Sequence, residues 1–255
     1  LLLGGTYPYG GAIIMAALAA VKSGAGLVTV GTDRENIPAL HSHLPEAMAF
    51  SLQDQQLLKE QLEKAEVVLV GPGLRDDAFG EELVKQVFVN LRQNQILIVD
   101  GGALTILART SLSFPSNQLI LTPHQKEWEK LSGIAIEKQN EDETASVLTS
   151  FPQGIILVEK GPTTRIWQVG QSDFYQLQVG GPYQATGGMG DTLAGMIAGF
   201  AGQFRQASLY ERVAVATHLH SAIAQELSQE NYVVLPTEIS SHLLKIMKKI
   251  SQKGT

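Results

Sequence analysis

"VVLVGPGLRDDAFGEELVKQVFVNLRQNQILIVDGGAL", residues 67 to 104, reads as strand, helix, strand. Its "VVLV" and "ILIV" are unbroken apolar runs rich in β-branched residues, the pattern of strands covered on both faces. Between them, "AFGEELVKQVFVNLRQ" spaces its apolar residues at helical intervals. Two parallel strands joined this way form a right-handed βαβ unit. Working outward, "GLVTVG" at 26 to 31, "LILT" at 119 to 122 and "GIILVEK" at 154 to 160 read as further strands, and "HQKEWEKLSG" as a helix. The alternation predicts an α/β protein with a mostly parallel, doubly wound sheet. After residue 160, "TTRIWQVGQSDFYQLQVGG" alternates as a hairpin does. Three helical stretches follow, near 191 to 203, 208 to 229 and 237 to 250, the last opened by "LPTE". Without repeats, low-complexity tracts or linkers, residues 1–255 are expected to form one domain.

Composition bounds the function. The 255 residues can bury a sizeable core, and 44% hydrophobic with 17% charged residues is ordinary for a globular protein. A net charge of -6 with no basic block argues against binding nucleic acid through a basic face, but leaves a nucleotide ligand open. The absence of cysteine excludes disulfides, thiolate metal sites and cysteine nucleophiles, and suits a cytoplasmic location. The longest apolar stretch, "AIIMAALAAV" at 12 to 21, is too short to span a bilayer, so no membrane association is expected. No basic segment precedes it, as a signal peptide would require. Residue 1 is Leu rather than Met, which leaves a targeting segment ahead of it open.

In an open parallel sheet, ligands bind beyond the carboxyl ends of the strands. There "VVLV" runs into "GPGL", "ILIV" into "DGGAL", "LILT" into "PHQKE" and "IILVE" into "KGPTT". Each strand delivers glycine, an ionisable group, or both to one rim. "KGPTT" offers a lysine, backbone N–H groups and two hydroxyls, enough to cradle a phosphate or ribose, though a β-turn with a solvated lysine reads equally well. There is no P-loop motif and no GxGxxG after the first strand. "ATGGMGDTLAG", 185 to 195, sets three glycines and Asp191 before a helix, where free N–H groups and the helix dipole suit an anion. Asp191 can be a helix cap or a proton acceptor. His124 ends a strand and precedes a helix, with Glu127 placed to complete a capping box. The histidines at 218 and 220 point to different faces of one helix, so they are not expected to chelate.

The order "GGTYPYGGA", "SGAGLVTV", "VGPGL", "VDGGAL", "LTPHQKE", "EKGPTT" and "ATGGMGDTLAG" resembles the ADP- or ATP-dependent NAD(P)H-hydrate dehydratases of the ribokinase-like superfamily, from about residue 3 to 225. The resemblance implies a three-layer αβα fold, assembly as a homotetramer, and a carbon–oxygen lyase. Such a lyase repairs the S epimer of hydrated NADH or NADPH with ADP or ATP as co-substrate and Mg²⁺, and works beside an epimerase. It implies that Asp191 activates the substrate hydroxyl and that Ala12, Gly73, Arg75 and His124 lie at the hydrated dinucleotide. Lys160, Gly161, Pro162, Thr163 and Thr164, with Gly188 and Gly190, would hold the nucleotide. No metal ligand is assigned.

Two departures from the family pattern stand out. Gly102 and Thr105 replace an Asp and an Asn of "DADALN", and Arg75 ends the "GPGL" segment in place of glycine. The first puts a polar contact in doubt; the second sets a cation near the substrate phosphates or out in solvent. A small-molecule alcohol kinase, or a nucleotide-binding protein without activity, would share much of this pattern.

Overall fold

The computed structural model describes residues 1–110 and 112–253. Strands β1 (Leu2–Leu3), β2 (Thr29–Thr32), β3 (Met48–Ser51), β4 (Val67–Val70), β5 (Ile96–Val99), β6 (Gln118–Leu121), β7 (Ile156–Glu159), β8 (Arg165–Gln168) and β9 (Phe174–Gln176) form one sheet. Their order is 3-2-1-4-5-6-7-8-9; pairing is parallel from β3 through β7 and antiparallel for β8 and β9. The expected hairpin is therefore present as β8–β9. The direction of winding reverses between β1 and β4, which opens a crevice beyond their carboxyl ends.

The helices are α1 (Gly10–Lys22), α2 (Ile37–His43), α3 (Gln55–Lys64), α4 (Ala78–Asn90), α5 (Gly101–Arg109), α6 (Gln125–Ser132), α7 (Glu141–Leu148), α8 (Met189–Ala201), α9 (Leu209–Leu227) and α10 (Pro236–Lys253). Successive strand residues face opposite sides, so each strand feeds two cores. Leu69, Ile98, Ile120 and Val158 pack with α1, α2, α8, α9 and α10. Val70, Leu97, Leu121 and Leu157 pack with α3 through α7. This burial on both faces explains the unbroken apolar runs.

The strand expected at 26 to 31 begins three residues later, and β1 and β3 have no counterpart in the sequence reading. Two residues suffice for β1 because β2 and β4 pair with it on either side. Among the described residues no helix is long and apolar enough to cross a membrane.

Helix α8 is apolar on every side, and of its thirteen residues only Gly190 and Asp191 are not buried. It lies against α1 at the distance small residues permit: a Cβ on Gly195 would collide with the Ala16 backbone, and one on Gly199 would crowd Ser23 and Ala20. Gly195→Val should therefore lower stability by about 1–3 kcal/mol, the usual cost of overpacking. Gly11→Ala, whose new methyl meets nothing within 4 Å, should leave the urea midpoint nearly unchanged. Equal midpoints for the two variants would show that the helices can move apart.

Candidate active site

The pairing of β6 with β7 continues past the strands, where His124 and Lys160 form a parallel bridge and the Lys160 amide donates to the Pro123 carbonyl at 2.9 Å. That register sets Lys160 beside the head of α6. From there its side chain turns inward to Asp100 at the end of β5: Nζ donates to Oδ1 at 2.8 Å, and both side chains are largely buried. The same oxygen accepts from Thr122 Oγ1 at 2.6 Å. Asp100 stands at the N-cap of α5 but makes no capping bond with its side chain. A Cβ on Gly71, whose φ is +124°, would run into the Asp100 carbonyl, so the glycine of "GPGL" lets the β4 and β5 ends approach.

The glycine-rich turn closes the site from the other side. Gly188 is the N-cap of α8 with φ +94°, in the left-handed region. Asp191 is thus the third helical residue rather than the cap, and its carboxylate takes a hydrogen bond from its own backbone amide. A Cβ on Gly190 would lie 3.1 Å from Lys160 Nζ, and one on Gly188 would strike Met15, one turn along α1 from Ala12. The first turn of α8 therefore stands between the Lys160 loop and α1.

Charges at this rim modify one another. Burial pushes the Asp191 carboxyl up to about 6; the Asp100 carboxylate pushes the same way, and the Lys160 ammonium opposes. Burial pushes Glu127 up to about 7, again against Lys160. Burial would lower Lys160, but Asp100, then Glu127, outweigh it and the ammonium is held more firmly protonated than usual.

His124 completes the capping box expected for α6. Its Nδ1 accepts from the Lys126 and Glu127 amides at 3.1 Å, and Glu127 Oε2 accepts from the His124 amide at 2.8 Å. An Nδ1 that accepts two backbone donors carries no proton. The lowered pKa of the ring, caused first by burial and then by Lys160, agrees.

A cleft of about 570 Å³ starts at these groups. His124, Lys160, Gly161, Pro162, Thr164 and Gly190 lie at one end, and Val179, Leu193 and His220 are among its walls. "KGPTT" is the turn joining β7 to β8, so the turn and the cradle are one feature; Thr163 is exposed and outside the cleft. Gly73 lies elsewhere, with φ +62°, where a Cβ would collide with the Tyr9 carbonyl and crowd Ala12. A second hollow of about 510 Å³ gathers Tyr9, Leu74, Arg75, Asp77, Gly102 and Thr105. The Arg75 guanidinium pairs with Asp77, and a Cβ on Gly102 would collide with the Leu74 carbonyl, so this backbone admits no side chain there. A larger hollow at the opposite end of the strands, around Leu1, Val28 and Val67, has no such convergence of charged groups. His218 and His220 do diverge: the first bonds Tyr175 Oη at 3.0 Å, and the second is buried beside Gln184.

Asp100 is the site residue that sequence reasoning does not single out. The available signal is a carboxylate ending an otherwise apolar strand at the ligand-binding edge, which an N-cap explains equally well.

A mostly parallel nine-stranded sheet flanked by helices, with a glycine-rich helix start at its rim, is the architecture of the ribokinase-like class. The NAD(P)H-hydrate dehydratase family model matches residues 1–245, and the chain belongs to that family. It is 89% identical over 253 residues to the ADP-dependent (S)-NAD(P)H-hydrate dehydratase of Streptococcus pneumoniae, covering 99% of this chain and 87% of that protein. A ribokinase-like superfamily protein of Enterococcus faecalis superposes with TM-score 0.92 at 42% identity, over 97% of this chain and 86% of that one. The ADP/ATP-dependent NAD(P)H-hydrate dehydratase of Bacillus subtilis, co-crystallized with ATP/Mg²⁺ and soaked with CoA, gives 0.84 at 28% identity, over 97% and 90%.

The raised Asp191 carboxyl has a consequence for stability. A carboxyl held near 6 in the fold and near its ordinary 3.8 when unfolded makes the folded chain bind the proton more tightly. Its contribution therefore worsens as pH rises from about 4 through about 6, then stays level. Asp191→Asn removes that penalty. Its melting temperature should exceed the parent's at pH 8 and match it at pH 4, as thermal denaturation at the two pH values would show. A variant less stable at both would mean that the carboxylate is a structural cap.

Proposed function

We propose that the protein restores hydrated NADH and NADPH, as their S epimers, to the reduced dinucleotides with ADP as phosphoryl donor. The reading rests on one observation above all: a lone half-buried carboxylate, Asp191, in the first turn of α8, beside the ammonium of Lys160. The substrate hydroxyl attacks the terminal phosphorus of the nucleotide and passes its proton to Asp191, and AMP departs. The phosphate ester is a far better leaving group than hydroxide. The adjacent ring nitrogen expels it as inorganic phosphate, and loss of a proton from the neighbouring carbon regenerates the nicotinamide double bond. The chain's task is positioning and charge stabilisation, as in phosphoryl transfer generally. The N–H groups at the head of α8 and Lys160 face the developing charge.

Nucleotide binding is assigned to the cleft bounded by Lys160, Gly161, Pro162, Thr164 and Gly190. The hydrated dinucleotide is assigned to the crevice at Ala12 and Gly73, with His124 at the boundary as a hydrogen-bond partner. Arg75 fits this half less directly, since Asp77 holds its charge. Magnesium fits as a passenger of the nucleotide: among the described residues no group of three or more acidic or imidazole side chains is arranged to hold a metal. Mg²⁺ commonly keeps its waters and binds through substrate phosphates. Homotetramer assembly, a cytoplasmic location and a companion epimerase belong to the same reading.

Purified protein given hydrated NADH, ADP and Mg²⁺ should form NADH and phosphate in equal amounts, followed by absorbance and a phosphate assay. A stable phosphorylated small molecule without NADH would identify a kinase instead. Asp191→Asn should lower turnover by ~10²–10⁴, the usual worth of a general base; turnover within threefold of the parent would refute the assignment.

The two halves of the site should separate by affinity. Lys160→Ala should weaken ADP binding more than binding of the hydrated dinucleotide, because charge-assisted bonds to phosphate are the stronger kind. Ala12→Leu should raise the Michaelis constant for the hydrated dinucleotide and spare ADP. Calorimetry and initial rates that gave the reverse pattern would exchange the two halves.

A further inference from the structure

Three carboxylates, Asp100, Glu127 and Asp191, face the single ammonium of Lys160, and they are not treated alike. Asp100 takes the hydrogen bond at 2.8 Å. Asp191 meets Lys160 through charge alone, with no ion pair formed. The choice is built in. Thr122 Oγ1 donates to the same Asp100 oxygen at 2.6 Å, so that oxygen is fixed by two donors from two neighbouring strand ends. Asp100 also forgoes the capping bond its position offers, and the turn packed against it is too tight for any residue but glycine at 71. The carboxylate is thus held for Lys160.

We propose that Asp100 is a positioning residue: by holding the Lys160 ammonium, it keeps that cation from closing onto Asp191, leaves Asp191 free as proton acceptor, and retains the ammonium beside Gly190 for the transferring phosphoryl group. This rests on the reading of Asp191 as the group that accepts the hydroxyl proton. A base already paired with an ammonium would be weaker and turned away from its substrate. Without Asp100, Lys160 has Asp191 and Glu127 as its remaining buried anionic partners. The charged and titratable groups gathered around Asp191 are Asp100 from β5 and Lys160 from β7, and around Lys160 also Glu127 and His124 of the α6 turn and His220 of α9. Of these, Asp100 acts on Asp191 most strongly, pushing its carboxyl up, with Lys160 opposing.

Asp100→Asn keeps the shape and the acceptor oxygen and removes the charge. The test is the pH dependence of kcat/KM for the hydrated dinucleotide at saturating ADP, measured for the parent and for Asp100→Asn, Thr122→Val and Asp191→Asn. The parent should lose activity as pH falls through the Asp191 titration near 6. In Asp100→Asn both the lost repulsion and the released ammonium favour ionised Asp191. The acid limb should therefore move down by ~1 pH unit, and kcat on the plateau should fall roughly threefold or more, as expected of a weaker base. Thr122→Val disturbs the same buried cluster without changing its charge, and its limb should stay with the parent's.

An unmoved limb in Asp100→Asn, or an equal shift in Thr122→Val, overturns the positioning role and leaves the catalytic reading standing if Asp191→Asn is inactive. An Asp191→Asn variant with near-parental turnover overturns both.

Discussion

The rim beyond the carboxyl ends of the strands depends on how closely α8 can lie against α1. A helix that is apolar on all sides must be enclosed, and α8 is enclosed along its whole length except at Gly190 and Asp191. Glycine at 195 and 199 against the alanines of α1 and the serine that caps it lets the two backbones almost touch. That contact fixes the axis of α8 and thereby the position of its first turn, where unpaired N–H groups and one carboxylate meet the lysine from β7. A bulkier interface would hold α8 further from α1 and move its first turn with it.

The electrostatics of the rim follow from scarcity of cations. Asp100, Glu127 and Asp191 share one buried ammonium, and burial raises the carboxyls that Lys160 does not fully compensate. A carboxylate with its affinity for protons raised toward neutrality is a better base than a solvated one, provided that it remains ionised at working pH. His124, neutral and pinned by its capping box, adds no charge to this group. It lines one end of the cleft.

The hollow lined by Arg75, Gly102 and Thr105 shows how sequence departures combine in space. Gly102 brings α5 against the Leu74 carbonyl, while Arg75 folds onto Asp77. The polar side chain that the family pattern places at 102 has no room in this backbone, and the cation at 75 is neutralised locally. Both changes belong to the packing of one corner, at the edge of the crevice rather than among the groups around Lys160.

The sequence by itself determined the sheet class, because strands buried on both faces must be continuously apolar and the helices between them must carry a helical period. It also determined at which edge of the sheet the glycines and ionisable groups gather, since those of β4, β5, β6 and β7 all follow their strands. Asp191, Lys160 and His124 were legible for that reason, and Glu127 because a capping box is local. Only the tertiary structure could decide the rest. The two residues of β1 have no periodicity to read and become a strand because β2 and β4 flank them. Asp191 stands one turn inside the helix because Gly188 takes the N-cap. Asp100 looked like any cap before a glycine pair, and its partner lies sixty residues further on. Periodicity and capping are short-range rules, whereas the pairing of two buried charges is set by the register of β5, β6 and β7, which no local pattern encodes.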